Sequence, residues 1–509
     1  MLEEERKYEV DPTFAVPDLS AALPDGAEVV ALPPAPLRAT YYDTHDRRLA
    51  RAGASLRFRR GDSEPWTVKL PTDVAGVRHE ISRTGSPDAV PDELVELVTV
   101  YTRGSEVEPA AVLRTTRRVH ELRDRHGSLL AELDDDAVSV LDGRDVRLKF
   151  REIEVELREG GRRLLDRVDD VLRQAGAVGG TFIPKHVRAL GPLGPPELTP
   201  PSGGLSRRST AGDVVTEALR KDIVRMLAYD PLVRLREPLP GGDTAVHQMR
   251  VGIRRLRTDL KTFRPLLDTK WANGLREELS WLADALGAAR DAEVLRARLR
   301  KTAGGDPLAG LDDAALARMD ADLAARHDEA LHELDEALRS DRYRVLLDHV
   351  VAAAAAPKLI GKRASVPAAE LLPRLVAKPW RQLAYGSDGV SGAGELDPAA
   401  SDEEWHEVRI RAKRARYATE AVAGVLGGAA AELAKAVADV QGLLGDHQDA
   451  AVAAQTWLAV ARADPDDHTL AVTAGRLFER ERAAVRKARD QFPEAWAKAN
   501  RNKLTAWLP

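Results

Sequence analysis

No cysteine occurs in the 509 residues. That excludes disulfides and thiolate metal sites, so any metal must be held by oxygen or imidazole. Phe, Trp and Tyr together make up 5% of the chain, little material for stacking on bases or clamping a ring-bearing substrate. No apolar run approaches the ~20 residues of a membrane-spanning helix; residues 350–356 are too few. The N-terminus opens on acids without an apolar core behind them, so no secretory signal is read and a soluble cytoplasmic protein is expected. A Walker-type glycine loop ending in Lys-Ser or Lys-Thr is also missing, so bound phosphate must be held by side chains. Net charge is only −5, which directs attention to local charge. With 44% hydrophobic and 31% charged residues the chain is globular, and its length exceeds a single domain.

What the chain does have is alternation. Residues 3–7 read Glu-Glu-Glu-Arg-Lys. In an extended strand Glu3, Glu5 and Lys7 share one face, two acids and a base side by side. The same period returns at Arg57 and Arg59, at Thr67 and Lys69, at Arg78, Glu80 and Ser82, at Glu132, Asp134 and Asp136, and at Glu152, Glu154 and Glu156, each set alternating with other, mainly apolar, residues. One such strand is an ordinary solvated sheet face. Six, with bases and acids concentrated by strand, predict a closed antiparallel β-barrel with a charged lumen and an apolar exterior covered by helices. Helices are expected at 92–98 and 164–174.

The stretch Glu3-x-Glu5-x-Lys7, followed by Tyr41-Tyr42-Asp43-Thr44, Leu49, Gly53 and Leu56-Arg57-Phe58-Arg59, resembles the CYTH domains, also called triphosphate tunnel metalloenzymes, over roughly residues 1–190. The resemblance implies a tunnel-like barrel, a divalent metal and hydrolysis of a linear triphosphate. Lys185 falls where relatives carry a Ser-Lys pair, with Pro184 in place of the Ser.

In a barrel the basic set is Lys7, Arg57, Arg59, Lys69, Arg78, Lys185 and one or both of Arg117 and Arg118. Alternation does not settle which of Arg114, Arg117 and Arg118 face inward. These cations would repel one another without a polyanion, and guanidinium forks and ammonium groups suit phosphoryl oxygens. Carboxylates facing that polyanion require an intervening cation, and Mg²⁺ or Mn²⁺ prefers such ligands. Glu3, Glu5, Glu132, Asp134, Glu154 and Glu156 are the candidate metal ligands. Glu5, Lys7 and Glu80 are the candidate catalytic residues, with Glu80 orienting arginines or the attacking water. Glu152 and Asp136 are expected at the tunnel mouth. His79 has the wrong parity and His45 lies in a loop. Inorganic triphosphate is the first-choice substrate. Thiamine triphosphate lacks an aromatic clamp, Trp66 having no evident partner, and no adenine pocket is recognisable for ATP.

Residues 191–210 hold five Pro and four Gly and read as a linker. From 211 to 509 the pattern is helical, with turn-rich breaks at 238–242, 303–310, 364–367 and 386–398, predicting an all-α domain of eight to ten helices. It contains a repeat. His247-Gln248-Met249-Arg250 with Arg254, Arg255 and Arg257 returns 159 residues later as His406-Glu407-Val408-Arg409 with Lys413, Arg414 and Arg416. Residues 286–291 return at 444–449. Two duplicated four-helix bundles are expected, about 211–355 and 360–509. This resembles the CHAD domain.

His247, Arg250, Arg254, Arg257 and Lys261 fall on one helical face, as do His406, Arg409, Lys413 and Arg416 in the second copy. Residues 250–264 hold six bases and one acid, Asp259, so pairing within the helix cannot neutralise the stripe. Two such stripes, completed by Arg290 and His447, suit a long polyanion. The resemblance favours inorganic polyphosphate and an association with polyphosphate granules; the lack of interleaved aromatics disfavours nucleic acid. The rival expectation is a non-catalytic granule adaptor whose barrel only grips chain ends.

Overall fold

The computed structural model describes residues 2–72, 74, 76–179, 183–198, 204–206, 208–305, 310–387, 389–464 and 466–509, apart from the side chains of Leu2 and Glu3. The chain divides into two units, Met1–Thr199 and Pro200–Pro509. The expected linker lies partly outside the described residues, at 199–203 and 207.

In the first unit, β1 (Leu2–Glu9), β2 (Glu28–Ala31), β3 (Ala35–Asp43), α1 (Arg48–Arg51), β4 (Ser55–Arg60), β5 (Trp66–Pro71), β6 (Val77–Arg83), α2 (Asp92–Thr102), β7 (Glu108–Arg123), β8 (Leu129–Asp142), β9 (Asp145–Leu157), α3 (Arg162–Gln174), β10 (Val178–Gly179) and α4 (Lys185–Leu190) follow in order. Eight strands close into an antiparallel ring, β1-β6-β5-β4-β3-β7-β8-β9, while β2 adds to β7 and β10 to β1. Closure depends on β1 having two partners. Its start pairs with β6, Glu3 opposite Arg78, and its end pairs with β9, Lys7 opposite Glu154. At the changeover the Glu5 N–H donates to the Gly76 carbonyl. Gly76 has φ +79°, and a Cβ there would meet the Glu5 carbonyl at 2.9 Å, so only glycine fits without a shift.

Alternation sends the apolar residues outward. Leu122, Ala131, Leu133, Ile153 and Val155 pack with Leu164, Leu165, Val168 and Leu172 of α3. Each large side chain so buried is worth about 1.5–3 kcal/mol. Trp66 is fully buried on the outer face, beside Phe58 and Tyr42, and its indole N–H donates to the Ser86 carbonyl; it therefore has ring partners that the sequence did not reveal. The motif Asp43-Thr44 has a structural role. The buried Asp43 carboxylate accepts from the backbone N–H groups of Thr44, Leu49 and Ala50, tying β3 to α1. The expected charged lumen is apolar at one end. There Ala39, Tyr41, Ala111, Leu113, Val138 and Val140 pack around Ala189 of α4, because a helix entering the barrel needs an apolar seat.

The second unit is all helical: α5 (Ala211–Leu235), α6 (Ala245–Thr262), α7 (Thr269–Ala303), α8 (Asp313–Arg339), α9 (Asp341–Ala355), α10 (Ala368–Tyr385), α11 (Asp402–Leu426), α12 (Gly428–Ala463), α13 (His468–Ala499) and α14 (Asn502–Thr505). Capping boxes start α5 (Thr210 with Asp213) and α11 (Ser401 with Glu404). The repeat-related helices α6 and α11 touch: Arg254 Nε donates to the Tyr417 hydroxyl, and Arg255 pairs with Glu420. None of the described helices is long and apolar enough to cross a membrane.

Candidate functional site

Inward-facing positions of β1, β3, β4, β5, β6 and β9, together with α4, line a cleft inside the barrel: Glu5, Lys7, Tyr41, Ser55, Arg57, Lys69, Arg78, Glu154, Lys185 and His186 are among its walls. Register places them. Lys69 stands opposite both Ser55 and Glu80, and Arg57 opposite Tyr41.

On one side the carboxylates are held by cations. Lys7 pairs with Glu154 and lies 3.3 Å from Glu5. Lys185, the first residue of α4, reaches Asp136 and Glu154, both at 2.6 Å, and Glu152 at 3.3 Å. Arg117 donates to Asp136 from Nε (2.9 Å) and Nη2 (2.7 Å), and also pairs with Asp134. Burial would lower the Lys7 and Lys185 ammonium groups, but Glu154 with Glu5, and Glu154 with Asp136 and Glu152, outweigh it and hold both above the ordinary lysine value. Burial would raise Glu154, yet Lys185, Lys7 and Arg117 keep it well below the carboxylate range. Two carboxyls go the other way. Burial pushes Asp134 up to about 7 against Arg117, with Asp136, Glu132 and Glu154 adding to the rise. Burial likewise lifts Glu152 to about 7 against Lys185.

On the other side, Glu80 sits 2.7 Å from Lys69 and 3.9 Å from Arg57, and Arg78 Nη1 donates to the Gly53 carbonyl. Arg59 keeps the inward face but is taken by Asp62 at the end of its strand. Glu132 and Glu156 lie around Arg158, at 3.6 and 2.5 Å. The Glu3 side chain lies outside the described residues.

Three expectations change. Arg118 is half exposed on the outer face, 3.6 Å from Asp135, whose carboxylate also accepts from Arg151; Arg117 alone of that pair faces the lumen. Asp136 and Glu152 are not at the mouth. Both are buried, at 0% and 3% exposure, because Lys185 descends to meet them. Tyr41 and His186, which sequence reasoning missed as site residues, line the cleft with rings stacked at 5.1 Å; the parity of Tyr41 with Asp43 was the available signal. His45 is 98% exposed beside Glu108, in a loop as expected.

The predicted ligands suit a hard divalent cation by donor type. Asp134 Oδ1 is buried without a hydrogen-bond partner among the described residues. Its carboxyl is raised by burial first and then by neighbouring acids, and an added cation relieves that repulsion. Among the described residues no three such side chains already converge as a finished metal cluster; lysines and arginines hold them instead.

In the helical unit, Arg250, Arg254, Arg409 and Lys413 come together where α6 and α11 meet. Burial, then Arg254, Arg409 and Arg250, push the Lys413 ammonium down to about 6. Arg409 Nε is buried without a hydrogen-bond partner among the described residues. Arg250 reaches Asp291 at 3.1 Å. His247 is pushed down by burial and by Arg290, which itself pairs with Glu293. His406 hydrogen-bonds Gln448, and Arg416 is taken by Glu420 and Gln441. Arg257 and Lys261 belong to a second basic group with Arg276 and Arg414. His447 is misplaced by the sequence reading. It is 1% exposed, stacked on Trp405, and accepts at Nε2 from Arg489, so it is core rather than groove. Tyr417 is also buried, its ring 4.7 Å from the Arg255 guanidinium.

An eight-stranded barrel whose lumen opposes carboxylates to arginines and lysines is the architecture of the triphosphate tunnel enzymes. The CYTH domain model matches residues 1–180 and the CHAD domain model residues 217–458. The uncharacterized protein Rv2226 of Mycobacterium tuberculosis is 31% identical over 526 aligned residues, covering 98% of this chain and 96% of its own. The chain belongs to the family of proteins that join a CYTH domain to a CHAD domain. Among solved structures, PptA from Streptomyces chartreusis is 27% identical, covering 57% of this chain and 100% of its own with a TM-score of 0.45. The CHAD domain from Ricinus communis is 23% identical, covering 56% and 93% with a TM-score of 0.41.

Proposed function

We propose that the barrel hydrolyses a linear triphosphate, inorganic triphosphate first, with Mg²⁺ or Mn²⁺, and that the helical unit binds inorganic polyphosphate. The supporting observation is the two-sided cleft: Lys7, Arg57, Lys69, Arg78 and Lys185 line the same space as Glu5 and Glu154. The cations that now hold carboxylates are placed to hold phosphoryl oxygens. Arg57 and Lys69 bind along one wall, while Lys7, Lys185 and Arg117 exchange their acids for the polyanion. Glu80 keeps Arg57 and Lys69 in place. The acids so released, Glu5, Asp134 and Glu154 with Glu132 and Glu156 nearby, would hold the metal. The metal, when bound, supplies charge neutralisation in the transition state and activation of the attacking water.

Trp66 packs on the outer face, so it offers nothing to a thiamine ring, which supports the inorganic substrate. The basic groups on α6 and α11 support a polyanion ligand for the second unit, and burial of Tyr417 withholds its ring from base stacking. Phosphate release from tripolyphosphate by the full chain, with and without Mg²⁺, tests the proposal. Release only with the metal supports it; binding without release under any divalent cation favours an adaptor that grips chain ends.

A further inference from the structure

We infer that His186 contacts the substrate in the barrel, its Nε2 sharing one proton with a phosphoryl oxygen of the bound triphosphate; the inference rests on the triphosphate reading above. His186 follows Lys185 in the first turn of α4 and is 7% exposed. It lines the cleft between the cations and Tyr41. Its ring lies nearly parallel to that of Tyr41, at 16°, so the stack sets its orientation. Nε2 is buried without a hydrogen-bond partner among the described residues. A buried ring nitrogen in this state, in a residue that walls a binding cleft, is waiting for a group that the ligand brings.

The groups acting on the ring decide what that group is. Lys7 of β1, Arg57 of β4 and Arg78 of β6 all oppose a charged imidazole, Tyr41 of β3 stacks on the ring, and Lys185 precedes it on its own helix. With burial first and these cations next, the imidazole is pushed down to about 3. A neutral ring with its proton on Nδ1 presents Nε2 as an acceptor. A bare phosphoryl oxygen is also an acceptor, so the two repel unless a proton lies between them. The triphosphate supplies the reason for that proton to arrive. Its negative charge neutralises Lys7, Arg57 and Arg78, the groups that kept the ring unprotonated. The proton comes from solvent or from a protonated phosphoryl group, and no bond between heavy atoms forms or breaks.

The test is steady-state hydrolysis of tripolyphosphate by the full chain with Mg²⁺ from pH 6 to 9, comparing the parent, His186→Phe and His186→Asn. Phe keeps a ring on Tyr41 and removes the nitrogen. Asn offers an amide N–H that needs no titration. The expected result for Phe is a KM raised roughly tenfold or more, the size of a lost hydrogen bond to a charged group, with kcat changed by less than about threefold on the same scale. Asn should recover part of the KM, and in both variants KM should lose the rise with pH that His186 gives the parent. A Phe variant with the parent's KM and pH profile overturns the inference. If Phe does not fold, an Asn variant that keeps the parent's KM–pH profile overturns it equally. A parent that releases no phosphate overturns the triphosphate reading itself and this inference with it.

Discussion

Lys185 Nζ and Glu154 Oε2 stand 2.6 Å apart, joining the first turn of α4 to the lumen face of β9. The contact places a helix-borne cation among three buried acids, since Asp136 and Glu152 share the same ammonium.

Lys185→Met therefore leaves Glu154, Asp136 and Glu152 buried with less compensation. The expected cost at pH 8 is about 3–5 kcal/mol, the usual penalty for removing one partner of a buried ion pair. The carboxyls of the variant then titrate above their unfolded values, the folded state binds more protons, and stability falls as pH rises. Glu152, at about 7 even beside Lys185, already shows the direction. Urea unfolding should show the deficit shrinking between pH 8 and pH 6; a constant deficit would mean that the acids are not strained.

Lys413 is expected to take up a proton when polyphosphate binds. Its folded value of about 6 leaves it mainly neutral at pH 7.5, and a polyanion restores the charged form. Affinity should fall as pH rises above 6, by up to about tenfold per unit for one linked proton. Calorimetry in two buffers of different ionisation enthalpy measures the uptake. Lys413→Met should lose it; an unchanged uptake would move the ligand away from the α6–α11 group.

His447 makes the helical unit acid-sensitive. Burial and Arg489 push its imidazole down to about 4, below its unfolded value of ~6.5. The unfolded chain then binds the extra proton, so stability is full above about pH 6.5 and is lost as pH falls toward 4, by up to ~3 kcal/mol. Thermal unfolding followed by tryptophan fluorescence, with Trp405 stacked on His447, should show this slope in the parent and a shallower one in His447→Leu.

Much of the barrel was legible because period-2 alternation is a property of single strands. Glu5, Lys7, Arg57, Lys69, Arg78, Asp134 and Glu154 all reach the lumen region by that rule. It failed at Arg117 and Arg118, where the run Arg-Thr-Thr-Arg-Arg is polar on both faces and an outward acid, Asp135, waits for Arg118. It also misjudged the depth of Asp136 and Glu152, which depends on where α4 inserts Lys185. In the helical unit, composition marked four breaks. It missed Ser340 between α8 and α9 and Gly427 between α11 and α12, where a one-residue interruption hardly alters composition, and also the longer breaks between α6 and α7 and between α12 and α13. The repeat located α6 and α11, but His447 is covered by Trp405 of α11 and Arg489 of α13, each 42 residues away, which no local pattern encodes.

Adjacent residues on opposite faces of β1 give the most direct test of the central claim. Glu5 lines the cleft, whereas Glu4 pairs outside with Arg162. Mg²⁺-dependent phosphate release from tripolyphosphate should be measured for the parent, Glu5→Gln and Glu4→Gln. A catalytic lumen predicts a loss of about 10²-fold or more for Glu5→Gln, the scale of lost preorganised charge stabilisation, with Glu4→Gln within about twofold of the parent, as for other surface changes. Equal activities in the two variants, or a parent that binds tripolyphosphate and never cleaves it, would contradict the assignment of the barrel as a triphosphatase.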